Sequence, residues 1–460
     1  MGQGIVEKYC EIIPDSQMPA VADGLLNFGS TLRTAKELIR PFYLKWLFFR
    51  LSSANCPQAF RAWRAYTSFQ LRRATARHFA PPTQNPDFVF LPMTDWHALT
   101  QRSRQLALGL SLLGHRCVYV NPHLGRERTQ PYPISRGSVI TQLSERVYEL
   151  HVHVPLEPVF HHRRLRRAEA DLIAREVLTT LQTMGSVRQA LVVSFPVWNT
   201  VAAQVAGKTS SLVVYDSHDL LEGLEKISSD LLLDERAAMD KADAVMFSST
   251  WLMTEHLRRN PELVHKSRVV RNAVGLSNFP IELSRPSGEN PTIGYIGYLG
   301  PWFDVDSVRA AASARPNWRF VLVGPVSPGF RRDVLLQLKN VTFVGEVPYT
   351  SLPDYLRTFD VGLIPFRVEP LTLASNPIKL YEYFAHGIPV VSSPLPEVQM
   401  YGDLVYVAHS QEGFLERIDE ALSESGEALR ARRLQVAKMQ TWDERCQALT
   451  ALIAACKKDS

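Results

Sequence analysis

Two sets of residues have the types and spacing for phosphate binding and proton transfer. The first lies in "SNPIKLYEYFAHGIPVVS", residues 375–392. Its pattern predicts a helix from Pro377 to His386 and then a buried strand. Asn376 can cap the helix, Pro377 suits its first position, and Gly387 suits the residue just past its end. Lys379 then falls in the first turn, where the helix dipole disfavours a cation and welcomes an anion. Lys379 and Glu382 share a face at i,i+3, with His386 one turn further on, while Leu380 and Phe384 line the other side. A plain surface ion pair of this kind is worth about 0.2–0.5 kcal/mol. The alternative is that the helix N-terminus receives a diphosphate. Lys379 and the free N–H groups would neutralise it, and Glu382 would accept hydrogen bonds from ribose hydroxyls. The ligand would supply the negative charge that the first turn lacks.

The second set is Asp216, His218 and Asp219 in "VVYDSHDLLEG". A carboxylate and an imidazole at a strand end can move a proton; the same residues can also form a turn that caps the next helix. Three glycine-bearing strand ends accompany these sets. Gly294, Gly297 and Gly300 in "IGYIGYLGPWFD" are spaced three apart, which is not the G-x-G-x-x-G dinucleotide pattern. They still permit backbone N–H groups to approach an anion before a helix near Asp304. "VGPV", with Gly324, and "FVGEVPY", with Val347, end strands in loops whose backbone can pair with a nucleobase or simply form rigid turns. Asp304 and Asp306 have D-x-D spacing but follow a strand of this same region. No metal site is expected from them.

The elements that must hold these residues are strands alternating with helices. From residue 86, "DFVFLP", "RCVYVNP", "YELHVHVP", "ALVVSFP", "SLVVYDSHD" and "AVMFSS" read as strands separated mostly by amphipathic stretches. "SRVVRNAVGLSNFP" ends this series, and a polar linker, "IELSRPSGENP", follows. Alternation then restarts with "TIGYIGYL", "WRFVLVG", "VTFVG", "VGLIPF", "IPVVSS" and "LVYVA", and the chain turns helical after residue 410. The expected fold class is α/β, with two Rossmann-like doubly wound domains facing a cleft: residues 86–280 and 281–440. A basic arm, 1–85, precedes them, and a C-terminal helix, 441–460, returns to the first domain. Ligands of such sheets sit at the carboxyl ends of the strands.

Composition bounds the classes. The 460 residues are 45% hydrophobic and 21% charged, as globular chains are. Five scattered cysteines, Cys10, Cys56, Cys117, Cys446 and Cys456, never form a CxxC pair, which suggests a reducing compartment. The first residues lack a secretory apolar core, and no run reaches the roughly 18 apolar residues of a membrane span. The net charge of +5 is concentrated: residues 31–79 hold ten basic residues and one acid, a net +9.

Beyond these readings, "SNPIKLYEYFAHGIPVVSSPLPEV" resembles the donor-binding signature of GT-B glycosyltransferases of the group 1, family 4-like kind. "ADAVMFSSTWLMTEHL", "VRNAVGLSNF", "PTIGYIGYLGPWFDVDSV", "NWRFVLVGPV" and "NVTFVGEVPYTSLPDYLRTFDVGLIPF" continue the resemblance, which covers about residues 86–456. It implies a glycosyltransferase, a hexosyltransferase by preference. Its donor would be a nucleoside-diphosphate sugar, UDP favoured, held by the C-terminal domain as a substrate with no separate cofactor. Lys379 would meet the donor phosphates and Glu382 the ribose, with Asn376, Gly297, Gly300, Gly324 and Val347 completing the donor site. Many relatives carry a glutamate eight residues before the ribose glutamate; here that position is Ala374. Asp219 would be the base for the acceptor hydroxyl, with His218 its rival. "MTDWHALTQRSRQLA" resembles the first glycosyltransferase loop and nominates Asp95, Trp96 and Arg102 for the acceptor, although it also reads as a helix start with a buried tryptophan. Competing classes are a non-catalytic membrane-associated scaffold that kept the fold, and, more distantly, a nicotinamide dehydrogenase.

The arm adds a location. Arg40, Lys45, Arg50 and Arg64 are interleaved with Phe42, Trp46, Phe49 and Trp63 on two helical runs, about 33–52 and 58–78. Such faces suit an anionic membrane surface better than a nucleic acid, at about 1 kcal/mol per well-placed basic residue. Packing onto the first domain is the rival. "RRLRR", Arg163 to Arg167, either faces the same surface or is a solvated helix face. The expectation is a cytoplasmic protein, peripheral on the inner face of the membrane, acting on a lipid-linked saccharide. Co-sedimentation with anionic vesicles should then capture the full chain and lose a chain starting at residue 83. Equal behaviour of the two would remove the arm from the mechanism.

Overall fold

The computed structural model describes residues 79–97, 100–121, 138–152, 163–224, 227–281 and 290–456. The arm expected at 1–85 therefore lies almost wholly outside the described residues.

The first sheet contains β1 (Asp87–Leu91), β2 (Cys117–Val120), β3 (Ser138–Gln142), β4 (Val147–Val152), β5 (Gln189–Val193), β6 (Leu212–Ser217), β7 (Ala244–Phe247) and β8 (Ser267–Val269). Their order is β3-β4-β2-β1-β5-β6-β7-β8, parallel throughout except for β3, which pairs antiparallel with β4. The second sheet contains β9 (Thr292–Ile296), β10 (Arg319–Val323), β11 (Val341–Gly345), β12 (Val361–Ile364), β13 (Val390–Ser392) and β14 (Val405–Val407). Its order is β11-β10-β9-β12-β13-β14 and its pairs are parallel. Both are doubly wound. The strand order reverses beside β1 in one and beside β9 in the other, so each sheet opens a crevice at that point.

Near-continuous apolar strands follow from burial on both faces. Val89 and Leu91 of β1 join one core layer; Phe88 and Phe90 join the opposite one. That second layer also contains Trp442, Cys446, Leu449 and Ile453, from the helix Trp442–Ala455. This C-terminal helix packs on the helix Arg102–Leu112 of the first domain. At the contact a Cβ on Gly109 would lie 2.6 Å from Cys446 Sγ, so the close approach needs the glycine.

The chain crosses between domains twice, side by side. Val274 N–H donates to Gln440 O at 3.0 Å, and Trp442 N–H donates to Val274 O at 3.2 Å. A buried polar chain runs along the same seam. Arg102 Nε donates to Asp216 at 2.9 Å, and Arg102 Nη1 donates to Asn272 Oδ1 at 3.1 Å. Asn272 N–H donates to Asn376 Oδ1 at 2.9 Å, and Asn272 Nδ2 donates to Asn376 O at 2.7 Å. Asn376 Nδ2 donates to Glu397 at 2.9 Å, and Arg271 Nε donates to the same carboxylate at 2.7 Å.

Candidate active site

The two crevices face each other across a cleft of about 820 Å³. Its second-domain wall begins where β9 ends. Gly297 has φ 120° and Gly324, after β10, has φ 140°. A Cβ on Gly324 would lie 2.0 Å from Gly297 O, so the two loops meet backbone to backbone and only glycine fits.

Lys379 lies against this glycine surface. The helix that carries it is Ile378–Ala385, with Pro377 as its N-cap residue and His386 as its C-cap residue. This is a correction by one residue at each end. Asn376 does not cap: its side chain is occupied by Asn272, Tyr381 and Glu397. Leu380 and Phe384 are fully buried against the sheet. The Lys379 ammonium sits over two aromatic faces, 5.0 Å from the Tyr295 centroid and 4.7 Å from that of Phe366. No carboxylate lies within ion-pair distance of it among the described residues. Burial pulls it down to about 8, opposed by Glu382. Glu382 is pushed up to about 7 by burial, against the Tyr349 hydroxyl and Lys379. Tyr349 donates its hydroxyl to Glu382 at 2.8 Å and accepts from Gln105 Nε2 of the first domain at 3.1 Å.

The first-domain wall contributes His218 and Asp219, which both line the cleft with His218 Nε2 3.7 Å from the Asp219 carboxylate. Burial raises the Asp219 pKa; His218 opposes the shift and Asp216 adds to it. Asp216 is fully buried and held by Arg102, so within this loop the fold keeps Asp216 for structure and leaves its two neighbours facing the cleft.

The remaining nominated residues divide. Gly297, Gly324, Val347, Asn376 and Arg102 line the cleft with Lys379 and Glu382. Gly300 does not; it backs onto the Trp302 ring, where a Cβ would be 2.8 Å away. Asp95 accepts from His97 N–H at 2.7 Å and shapes a turn outside the cleft lining. Trp96 is buried edge-on against Tyr119 at 5.1 Å and supports the wall from behind. Asp304 caps the helix Val305–Ala314, and Asp306 pairs with Arg331 at 2.8 Å. Ala374 is fully buried, and its carbonyl accepts from Ser249 Oγ at 2.6 Å across the domain seam. Of the basic cluster, Arg163 pairs with Glu169 at 2.8 Å and Arg164 with Asp234 at 2.6 Å, partners that the solvated-face reading did not foresee. The sequence reading passed over Arg104, Gln105, Tyr349 and Phe366, all of which line the cleft. One signal was available. The helix Arg102–Leu112 has two cations and no acid in its first turn, the same anomaly that singled out Lys379.

Residues 290–424 match the family described as glycosyl transferases group 1. A putative teichuronic acid biosynthesis glycosyltransferase, TuaH, of Bacillus subtilis (strain 168) is 28% identical over 254 residues, which cover 50% of this chain and 64% of the relative. Sucrose-phosphate synthase from Thermosynechococcus elongatus superposes with a TM-score of 0.59 at 18% identity, over 81% of this chain and 97% of the other. Anabaena HepE in complex with UDP-glucose gives a TM-score of 0.59 at 14% identity, over 81% and 100%. These likenesses show the two-domain GT-B fold.

The two titrations predict a pH optimum for binding. A diphosphate at the start of this helix would pair with the Lys379 ammonium, which is lost as pH rises through about 8. A hydroxyl donates best to the ionised Glu382 carboxylate, which is lost as pH falls through about 7. Affinity for a UDP-sugar, the ligand class suggested by the sequence, should peak between these values. Lys379→Ala should cost about 1.5–3 kcal/mol and remove the alkaline limb, and Glu382→Gln should remove the acid limb. Calorimetric titration of UDP-glucose from pH 6 to about 9 reads both. Unchanged affinity in Lys379→Ala would remove the residue from the donor site.

Proposed function

We propose that this protein, a GT-B chain of the group 1 glycosyltransferase kind, moves a sugar from a nucleoside diphosphate to a hydroxyl of a saccharide acceptor. UDP is the favoured base-carrying half. The acceptor is lipid-linked, and the product belongs to a cell-surface polysaccharide or glycolipid. The observation that carries the reading is the Lys379 ammonium on the cleft wall beside Gly297, between two aromatic rings and with no carboxylate at ion-pair distance among the described residues. Support for UDP comes from the solved HepE complexes with UDP and UDP-glucose. Support for the polysaccharide role comes from the name of the Bacillus relative, of which this chain covers 64%. Among the described residues, no helix is long and apolar enough to cross a membrane.

In this reading the acceptor oxygen attacks the anomeric carbon as the bond from that carbon to the diphosphate oxygen breaks. The departing diphosphate keeps the bonding electrons. Lys379 and the N–H groups at the start of its helix neutralise the developing charge. The acceptor proton passes to Asp219, whose carboxylate borders the cleft 3.7 Å from His218 Nε2. His218 beside it orients the carboxylate and is the alternative base.

A thermal-shift screen over UDP-, GDP- and dTDP-sugars tests the donor half, with stabilisation by UDP-sugars expected. Asp219→Asn should lower turnover by about 10²-fold or more and leave UDP-glucose affinity unchanged, because a base acts in the transition state. Inactive His218→Ala beside nearly normal Asp219→Asn would exchange their roles. Tight donor binding with neither transfer nor donor hydrolysis would favour the non-catalytic scaffold, to which Ala374 at the position of the relatives' glutamate lends some support.

A further inference from the structure

Of the two first-turn cations of the helix Arg102–Leu112, only one is accounted for by the protein. Arg102 is neutralised by Asp216. Arg104 lines the same cleft and has no carboxylate within ion-pair distance among the described residues. Its Nη1 donates to Trp96 O at 3.1 Å, and its guanidinium carbon sits 5.0 Å from the Trp96 ring centroid. The group is thus held rigidly by a carbonyl and an aromatic face. Its Nε is buried without a hydrogen-bond partner, and so is Nη2 of Arg102, a residue only 2% exposed. Burial lowers the Arg104 pKa, with only the hydroxyls of Tyr119 and Tyr349 opposing it. Arg104 thus sits in the cleft lining at the positive end of the helix dipole with no carboxylate at ion-pair distance among the described residues, and the two orphan nitrogens leave this turn short of acceptors. A half-buried cation without a counter-charge is costly unless something completes it.

We infer that Arg104 is a specificity residue for an anionic group on the acceptor, a carboxylate or a phosphoryl group carried by the saccharide. The inference rests on the transferase reading only in calling the ligand an acceptor. The position favours the acceptor over the donor: Arg104 is on the first-domain wall with His218 and Asp219, while Lys379 is on the facing wall. Arginine suits the task because its planar fork matches both anions.

The test uses the full-length protein, with and without saturating UDP, and three probes: 4-nitrophenyl β-D-glucuronide, 4-nitrophenyl β-D-glucoside 6-phosphate and the neutral 4-nitrophenyl β-D-glucoside. At least one anionic probe should bind about tenfold or more tightly than the neutral one, the usual worth of a charge-assisted hydrogen bond. The better of the two names the anion. Arg104→Gln should erase the preference, and Arg104→Lys should keep part of it. UDP affinity in both variants should match the parent, which also reports that they fold. Three results overturn the inference: no preference in the parent, a preference that survives Arg104→Gln, or UDP affinity that falls as far as probe affinity, which would assign the guanidinium to the donor. Failure of the parent to bind UDP, with the probe preference intact, would instead remove the transferase reading and leave the anion site standing.

Discussion

The geometry of the cleft depends on the paired amides of Asn272 and Asn376. Each domain buries polar groups at the seam, and a buried amide without partners costs about 1–3 kcal/mol. Asn272 donates both its backbone N–H and its side-chain amide to Asn376. Asn376 passes the chain on to Glu397, and Arg102 brings in Asp216 from the first domain. Every member makes at least one charge-assisted bond, so the network fixes one relative placement of the walls. The helix of Lys379 starts two residues after Asn376. Its position is therefore set from the seam as well as from the sheet below.

This placement explains a division of labour between similar residues. Asp216 and Asp219 are three residues apart at one strand end, yet the first is spent on Arg102 and the second borders the cleft. Arg102 and Arg104 divide in the same way. Glycines do the complementary work on the facing wall, because a backbone without side chains lets charged groups come close. The result is a cleft with cations on both walls, one beside Gly297 and one braced on Trp96.

Much of the fold was legible because parallel strands buried on both faces read as apolar runs, and all six strands of the second sheet were found that way. The edge strand β3 was not, since "SVITQ" is short, half polar and lies in a segment without helix punctuation. Lys379 and Glu382 were legible because their relation is local, three residues along a helix. Tyr349 and Gln105 were not, because they meet across 244 residues and only the closed seam brings them together. Arg104 was readable in principle from the same dipole argument. It was masked by Arg102 two positions earlier, whose partner lies 114 residues away and cannot be seen locally. The cap assigned to Asn376 failed for a related reason: a side chain suited to a local bond was claimed by a long-range one.

The paired crossings at Val274 and Thr441 have a topological consequence. The last helix of the chain is seated in the core of the first domain, although the domain before it belongs to the second half. The second domain is thus an insertion, tied to its host at both ends through adjacent backbone segments. A break in the peptide between 281 and 290 would leave the fragments interlocked, since the C-terminal piece still carries Trp442, Cys446 and Leu449 into the partner core. Exchange of the second domain between two molecules would have to undo both ties together, which disfavours swapped dimers and keeps both walls of the cleft on one polypeptide.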